Sequence, residues 1–246
     1  MRDRQVSERF AAFDAPAVIR QYGHAHAVSL ADLDGGSDQG QRIETASVVA
    51  PAWFHRAVRS RQRGYVAGRY CASMALTRYG SSAALDVLET GAFGAPRWPA
   101  AVTGSITHSA QYALAVVASQ QQWRSVGIDC EPIIEATTAA DVAERILPEQ
   151  HDVAWLGEWH RALTCEETLT IGFAAKESIY KCLNPVVNEF FGFDAVRLVS
   201  IEMARGVARF VLLRALGEAF VSDTPLTVHF SLEHHHVFAA TGLAAV

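Results

Sequence analysis

The sequence predicts an α+β protein of two similar lobes, a pseudo-dimer in which each lobe packs antiparallel strands on helices. Each half of the 246-residue chain shows a helical pattern followed by strand-like runs. The hydrophobic residues, 50% of the chain, are enough for a well-buried core. A strand-like run with two acids lies near the middle of the chain. We therefore expect lobes at 1–122 and 123–246, with the active site in the cleft between them.

The first lobe is predicted to contain a loop, a long helix and a hairpin. The segment 32–41 is rich in Gly, Asp and Ser, which is typical of a surface loop. From 51 to about 79, apolar residues recur every three to four positions, which predicts a helix. The apolar run 113–118 and the run 123–131 are predicted to be the two strands of a hairpin, joined by a polar turn at 119–122.

The second lobe is predicted to be helical first and then a meander of strands. Pro132 ends the strand of the hairpin, and a helical region follows over about 138–182, interrupted near Pro148. The remaining strand-like runs are 196–204, 207–216 and 226–243.

Composition excludes several classes of protein. The net charge of −5 argues against a general nucleic-acid binder, whereas a local arginine cluster in 56–69 suits a small anionic ligand. The four cysteines have no CxxC spacing, so they indicate neither a zinc site nor a redox dithiol, and they fit reduced core residues of a cytosolic protein. No apolar run approaches the length of a membrane span, and the N-terminus lacks a secretory apolar region. We expect a cytoplasmic protein.

Two short clusters of acids and lysines indicate the chemistry. Asp129 and Glu131 stand at i and i+2 of a predicted strand, so their carboxylates point to the same face. Glu177 and Lys181 lie one turn apart on a predicted helix, with Lys176 beside them. Such a set can hold Mg²⁺ and a polyphosphate, because Mg²⁺ prefers oxygen ligands and shares them with substrate phosphates. Taken separately, each cluster also fits a solvated strand face or a salt-bridged helix surface.

Four segments match one family in order and in spacing. They are RQRGYVAGRYCASMAL (61–76), GAPRWPAAVTGSITHS (94–109), VGIDCEP (126–132) and FAAKESIYKCLNP (173–185). With these segments the chain resembles the 4′-phosphopantetheinyl transferases, in particular the branch of the surfactin-type class that is similar to enterobactin synthetase component D. The resemblance covers roughly residues 55–190.

The resemblance implies a reaction and its partners. Such enzymes, the holo-[acyl-carrier-protein] synthases, move the phosphopantetheine arm of coenzyme A onto a serine hydroxyl of an apo acyl, aryl or peptidyl carrier protein. The products are holo carrier protein and 3′,5′-ADP. Phosphoryl transfer between two oxygens asks the enzyme mainly to position groups and neutralise charge. The branch serves siderophore, nonribosomal peptide, polyketide or fatty acid synthesis. We expect a monomer, since a two-lobe chain carries its own cleft.

The resemblance also assigns roles in the second lobe. Asp129, Glu131 and Glu177 hold Mg²⁺, or Mn²⁺, against the pyrophosphate of coenzyme A. Glu177 is a candidate to accept the serine proton, directly or through water, and the residues alone leave open which carboxylate is the base. Lys176 and Lys181 are predicted to bind phosphate oxygens as mobile point charges. The predicted catalytic residues are Asp129, Glu177 and Lys181.

In the first lobe, the resemblance implies contacts to the adenosine end of coenzyme A. His108 corresponds to a family histidine that contacts the 3′-phosphate, and Thr107 beside it can donate a hydrogen bond. Arg63 and Arg69 correspond to a basic helix that approaches the adenosine. Gly64 departs from the family, whose members often carry an acid at this position.

Two other classes of protein stay open at this point. A metal-dependent hydrolase or nuclease uses the same acids, but a nuclease needs a basic groove that the charge balance does not offer. A non-catalytic module that binds carrier proteins has no need for three acids and two lysines. One incubation with coenzyme A, Mg²⁺ and an apo carrier protein, followed by intact mass, separates the three.

Overall fold

The computed structural model describes residues 11–30, 50–81, 88–146 and 163–245. These residues form two compact units, divided after Gln122. Each unit combines helices with an antiparallel sheet, so the predicted α+β class is confirmed. Within the four ranges, no helix is both long and apolar enough to cross a membrane.

The first unit is a four-stranded sheet with one long helix packed against it. Its elements are β1 (Ala11–Phe13), α1 (Ala17–Arg20), β2 (His24–Ser29), α2 (Arg59–Tyr79), β3 (Val102–His108) and β4 (Tyr112–Ser119). Along the sheet the order is β1-β2-β4-β3. Because β3 and β4 are both consecutive and paired, they form a hairpin.

Helix α2 packs closely on the sheet because small residues line both surfaces. Ala67 and Cys71 of α2 are fully buried and lie in one cluster with Ala113 and Ala115 of β4. The helix ends at Gly80, whose φ of +82° is the left-handed conformation that closes many helices. The close packing brings the first turns of α2 beside the end of β3.

The second unit is a five-stranded sheet covered by the second long helix. Its elements are β5 (Trp123–Pro132), α3 (Ala139–Ile146), α4 (Cys165–Val187), β6 (Val196–Glu202), β7 (Val207–Leu212), β8 (Pro225–Glu233) and β9 (His236–Ala244). The order in the sheet is β5-β9-β8-β7-β6. Strand β5 thus pairs with a strand that lies far from it in sequence.

Helix α4 has well-defined ends and a buried face. At its start, the Thr164 hydroxyl accepts the N–H of Glu167 and the Glu167 carboxylate accepts the N–H of Thr164, which satisfies two helix N–H groups. At its end, Asn188 is left-handed with φ +51°. Ile171 and Ile179 lie on the face that packs into the core with β6 to β9. The helix is therefore fixed along its length against the sheet.

The predicted hairpin of 113–118 and 123–131 is wrong. Both segments are strands, but β4 pairs with β2 and β3, whereas β5 pairs with β9. The reason is that the division between the two units falls in the turn that seemed to close the hairpin. The hairpin of this region is instead β3–β4.

The predicted helices occur with different bounds. The α-helix expected from 51 begins at Arg59, after a short 3₁₀ turn at Phe54–Arg56. The region expected to be helical over 138–182 contains α3 and α4, and α4 continues to Val187.

The last predicted run, 226–243, is two strands, β8 and β9. The predicted loop at 32–41 and the interruption near Pro148 lie outside the described residues.

Candidate active site

The two acids of β5 face helix α4. Asp129 and Glu131 share a strand face with Gly127, since alternate residues point the same way. A Cβ at position 127 would collide with the carbonyl oxygen of Ser178 and lie 2.6 Å from the amide nitrogen of Cys182. Glycine thus lets the backbone of α4 approach β5, which brings the helix side chains beside the two carboxylates.

A buried ion pair joins the strand to the helix. The Lys181 Nζ lies 2.6 Å from the Asp129 Oδ1 and donates a hydrogen bond to it. The Asp129 side chain is 3% exposed and that of Lys181 is 27% exposed. Charge-assisted hydrogen bonds of this length are among the strong ones in proteins. The pair fixes the lysine ammonium at the acidic strand.

Two more carboxylates belong to the same electrostatic cluster. Burial raises the pKa of Glu131 to about 8, with further raising by Asp129 and Glu177 against lowering by Lys181. Burial and the charge of Asp129 raise the pKa of Glu177. They outweigh the charge of Lys181, which lowers it. Burial alone would lower the pKa of Lys181, but the three carboxylates outweigh it and the pKa is raised. We call Asp129, Glu131, Glu177 and Lys181 the acidic site.

The chemistry of the acidic site fits a divalent cation bound together with a phosphorylated substrate. Its donors are carboxylate oxygens, which Mg²⁺ prefers, and their mutual repulsion is relieved by positive charge. In the described ranges, no three His, Cys, Asp or Glu side chains form a ready-made metal cage. Mg²⁺ does not require one, since it is usually bound by one or two carboxylates with substrate phosphates and water.

Lys176 lies outside the acidic site. It is 1% exposed, and its Nζ donates to the carbonyl oxygens of Ile146 at 2.7 Å and Phe193 at 3.1 Å. Ile146 belongs to α3, and a backbone carbonyl oxygen is a good acceptor for a buried ammonium. This position differs from the expectation that Lys176 holds a phosphate oxygen. Neighbouring residues of a helix do not face the same way, so Lys176 and Glu177 diverge.

In the first unit, Arg63 and His108 lie near the β3–β4 turn. The Arg63 guanidinium donates to the carbonyl oxygen of Ala110 at 3.3 Å. His108 ends β3 and is exposed, whereas the neighbouring Thr107 is buried, with 3% exposure. An arginine and an exposed imidazole at one end of the sheet can bind an anionic group.

Arg69 is a buried member of α2. It is 7% exposed, it donates to the Thr90 hydroxyl at 2.8 Å, and its guanidinium lies 5.1 Å from the ring centroid of Tyr65. The Tyr65 hydroxyl in turn lies 3.2 Å from that of Thr90. Arg69 thus ties α2 to the segment that carries Thr90.

Sequence reasoning did not single out Tyr180. Burial raises the pKa of its hydroxyl, with a further contribution from the charge of Glu177. Its ring lies 5.8 Å from that of Phe190 and 5.0 Å from that of Phe191. The sequence could have indicated Tyr180 by its i+3 spacing from Glu177, because this spacing places the two side chains on one face of the helix.

In this α+β protein, three carboxylates and a lysine on a strand and a facing helix can bind a divalent cation together with a phosphorylated substrate, as in phosphoryl-transfer enzymes. Comparison with known proteins specifies the family. A family model described as the 4′-phosphopantetheinyl transferase N-terminal domain matches residues 50–118, and one described as the 4′-phosphopantetheinyl transferase superfamily matches residues 125–240.

Curated relatives agree with the family models. The chain is 34% identical to the 4′-phosphopantetheinyl transferase Npt of Nocardia iowensis, over 62% of this chain and 65% of that protein. It is 33% identical to the 4′-phosphopantetheinyl transferase PptT of Mycobacterium tuberculosis, over 70% of this chain and 73% of that protein. It is 38% identical to enterobactin synthase component D of Escherichia coli (strain K12), over 53% of this chain and 58% of that protein. The matches to Npt and to component D span less than two thirds of each relative.

The chain belongs to the 4′-phosphopantetheinyl transferase superfamily. The family resemblance predicted from the four sequence segments is therefore confirmed.

Proposed function

We propose that this chain transfers the phosphopantetheine arm of coenzyme A to a serine hydroxyl of an apo carrier protein and releases 3′,5′-ADP. Its family and the names of its relatives support the proposal. The observation that carries it is the ion pair between Lys181 and Asp129, which holds a cation among three carboxylates. The name of component D favours a role in siderophore synthesis.

Lys181 is proposed to neutralise the pyrophosphate. Its pKa is raised above the ordinary value by the surrounding carboxylates, so the ammonium is positive at neutral pH. In the free protein the Lys181 ammonium contacts the Asp129 carboxylate, and a bound pyrophosphate would share this ammonium with Asp129. A charge that is already in place stabilises the negative charge that develops on the leaving oxygen of 3′,5′-ADP.

Glu177 is proposed as the base. The serine oxygen attacks the phosphorus that bears the pantetheine arm, and the bond from this phosphorus to the oxygen of 3′,5′-ADP breaks. The serine proton goes to a carboxylate of the acidic site, for which Glu177 is the candidate, directly or through a water molecule. Asp129 takes part by orienting the Lys181 ammonium.

Asp129, Glu131 and Glu177 are proposed to hold Mg²⁺, with Mn²⁺ as an alternative. When bound, the metal supplies positive charge at the pyrophosphate. These carboxylates also orient the substrate, because each is anchored by its strand or helix. Lys176 is left out of this set, since its ammonium is buried against two backbone carbonyls.

The adenosine end of coenzyme A is proposed to bind the first unit. His108 and Arg63 are the proposed contacts to the 3′-phosphate, with Thr107 beside them. Arg69 is proposed to support the adenosine contact by fixing Tyr65 and Thr90. The pseudo-dimer, the cleft between the lobes, the monomeric state and the cytoplasmic location stay predictions.

Intact mass spectrometry tests the function directly. Several apo carrier proteins are incubated with coenzyme A, Mg²⁺ and the protein, and each substrate carrier should gain one phosphopantetheine. Asp129→Ala serves as the matched negative control. If no carrier gains the group with either Mg²⁺ or Mn²⁺, the proposed function is wrong.

A further inference from the structure

Helix α2 and strand β3 meet through two glycines. A Cβ at Gly64 would lie 2.7 Å from the Nδ1 and 2.9 Å from the Cγ of His108. A Cβ at Gly68, one turn further along α2, would lie 2.7 Å from the Cγ2 of Ile106. Both distances are shorter than ordinary contacts, so each glycine makes room for one side chain of β3.

The two pairs are in geometric register. Four helix residues rise about 6 Å and two strand residues about 6.6 Å, so successive glycines meet alternate side chains of β3. Gly64 receives His108 and Gly68 receives Ile106, with helix and strand running in opposite directions. The first contact holds an exposed polar ring, and the second holds an apolar side chain.

Gly64 is buried within α2, five residues after its first residue, Arg59. Glycine inside a helix is less favourable than alanine, because it loses more conformational freedom on folding. A residue that weakens its own helix calls for a compensating role. In this chain the space that a side chain at position 64 would fill is occupied by the His108 imidazole.

We propose that Gly64 is a positioning residue for His108. Its missing side chain lets the imidazole lie against α2, and the guanidinium of the preceding residue, Arg63, donates to the carbonyl of Ala110 in the turn that follows His108. The inference rests on the proposed function, in which His108 and Arg63 contact the 3′-phosphate of coenzyme A. Gly64 acts only through the ring and touches no substrate.

The test substitution is Gly64→Ala. Because His108 is exposed, its ring can swing outward to make room for the methyl group, and the fold is preserved. The melting temperature should stay the same or rise, since alanine favours the helix. The preference for coenzyme A over 3′-dephospho-coenzyme A should fall on the order of tenfold in kcat/KM, mainly through KM.

A double-mutant cycle shows whether the effect passes through the ring. Transfer kinetics with both substrates are measured for the wild type, Gly64→Ala, His108→Ala and the double variant. In the absence of the imidazole, Gly64→Ala should cause no further loss of preference. Gly68→Ala is the matched control, since it displaces Ile106 instead and should leave the preference unchanged.

Three kinetic results would contradict the positioning role of Gly64. Full preference in Gly64→Ala, an additive loss in the double variant, or an equal loss in Gly68→Ala overturns the proposal. If Gly64→Ala does not fold, restored folding in the double variant supports a collision with the ring, and continued unfolding overturns it.

The position of the His108 ring can be tested even if the proposed function is wrong. If the wild type transfers nothing, the NMR signals of the His108 ring, assigned with His108→Ala, decide the question of position. A shift of these signals in Gly64→Ala and not in Gly68→Ala supports the positioning role, whereas unchanged signals overturn it.

Discussion

The two partners of the central ion pair are not equivalent. Lys181 interacts with Asp129, Glu177 and Glu131, so its removal leaves three carboxylates close together. Removal of the Asp129 charge leaves Lys181 with two carboxylates as neighbours. Truncating one partner of a buried pair is costly mainly because the other charge is left uncompensated. The lysine should therefore matter more for stability than the aspartate.

We expect Lys181→Met to lower the free energy of unfolding by about 3 kcal/mol, and Asp129→Asn to lower it by clearly less. Both variants should lower transfer on the order of 10²-fold or more, because each removes a charge from the acidic site. Urea denaturation measures stability, and time courses of carrier-protein mass measure transfer. An equal loss of stability in the two variants would contradict the asymmetry.

Glu131 should make stability depend on pH. Its pKa is about 8 in the folded protein and 4.5 in its ordinary state, so between these values the folded state binds more protons. Stability contributed by the protonated carboxyl is then lost as pH rises toward about 8. Melting temperatures in EDTA should fall from about pH 5 to about pH 8.

Two variants test whether Glu131 causes this fall of melting temperature with pH. Glu131→Gln should make it shallower, with the rest due to Glu177, whose pKa is also raised, whereas Glu135→Gln, at an exposed position shortly after β5, should leave it unchanged. Mg²⁺ should also reduce the fall, because added positive charge favours the ionised carboxylates. The same slope in Glu131→Gln as in the wild type would exclude Glu131 as its source.

At the scale of elements, helix α4 serves two neighbours with different faces. Glu177 and Lys181 are directed toward β5, while Lys176 reaches the carbonyls of Ile146 in α3 and of Phe193. Phe173 adds an edge contact to Phe193, with ring centroids 5.6 Å apart. Lys176 thus links three segments of the second unit.

We expect Lys176→Met to destabilise the protein by about 2 kcal/mol, because two buried carbonyls lose a charged donor. The KM for coenzyme A should stay close to that of the wild type. Thermal unfolding and steady-state kinetics distinguish the two roles. A higher KM with unchanged stability would instead restore Lys176 as a phosphate contact.

Local patterns predict elements better than they predict pairing. The strand with Asp129 and the helix with Glu177 were predictable, because spacing along one element decides which side chains share a face. The partner of β5 was not, since pairing with β9 depends on residues far along the chain. That Lys176 points away from the acidic site could be inferred from its position next to Glu177 on the helix, but a lysine beside an acidic cluster also suggests a phosphate contact.

At the scale of the whole molecule, the net charge of −5 gives no long-range attraction to a carrier protein that is itself acidic, if the proposed function holds. Docking then depends on a local surface. The segment after α4 offers one, since Phe190 is 71% exposed and its ring contacts Tyr180, which lies in the field of Glu177. The next residue, Phe191, is 4% exposed and belongs to the core.

We expect Phe190→Asp to raise the KM for the carrier protein while the KM for coenzyme A and the melting temperature stay unchanged. The adjacent Phe191→Asp is the contrasting variant and should lose the fold, because it places a charge in the core. Kinetics against each substrate and thermal unfolding give the answer. Wild-type kinetics in Phe190→Asp would remove this segment from the docking surface.

The pairing of β5 with β9 sets an order of events during protein synthesis. Asp129 lies opposite Ala239 and Glu131 opposite Val237, so a ribosome must pass β9 before the acidic strand has its neighbour. Every acid and lysine of the acidic site is already present in a chain that stops after β8. Such a truncated product would contain the whole set of reactive groups and still lack the strand beside β5. Activity should therefore appear only after β9 has left the ribosome.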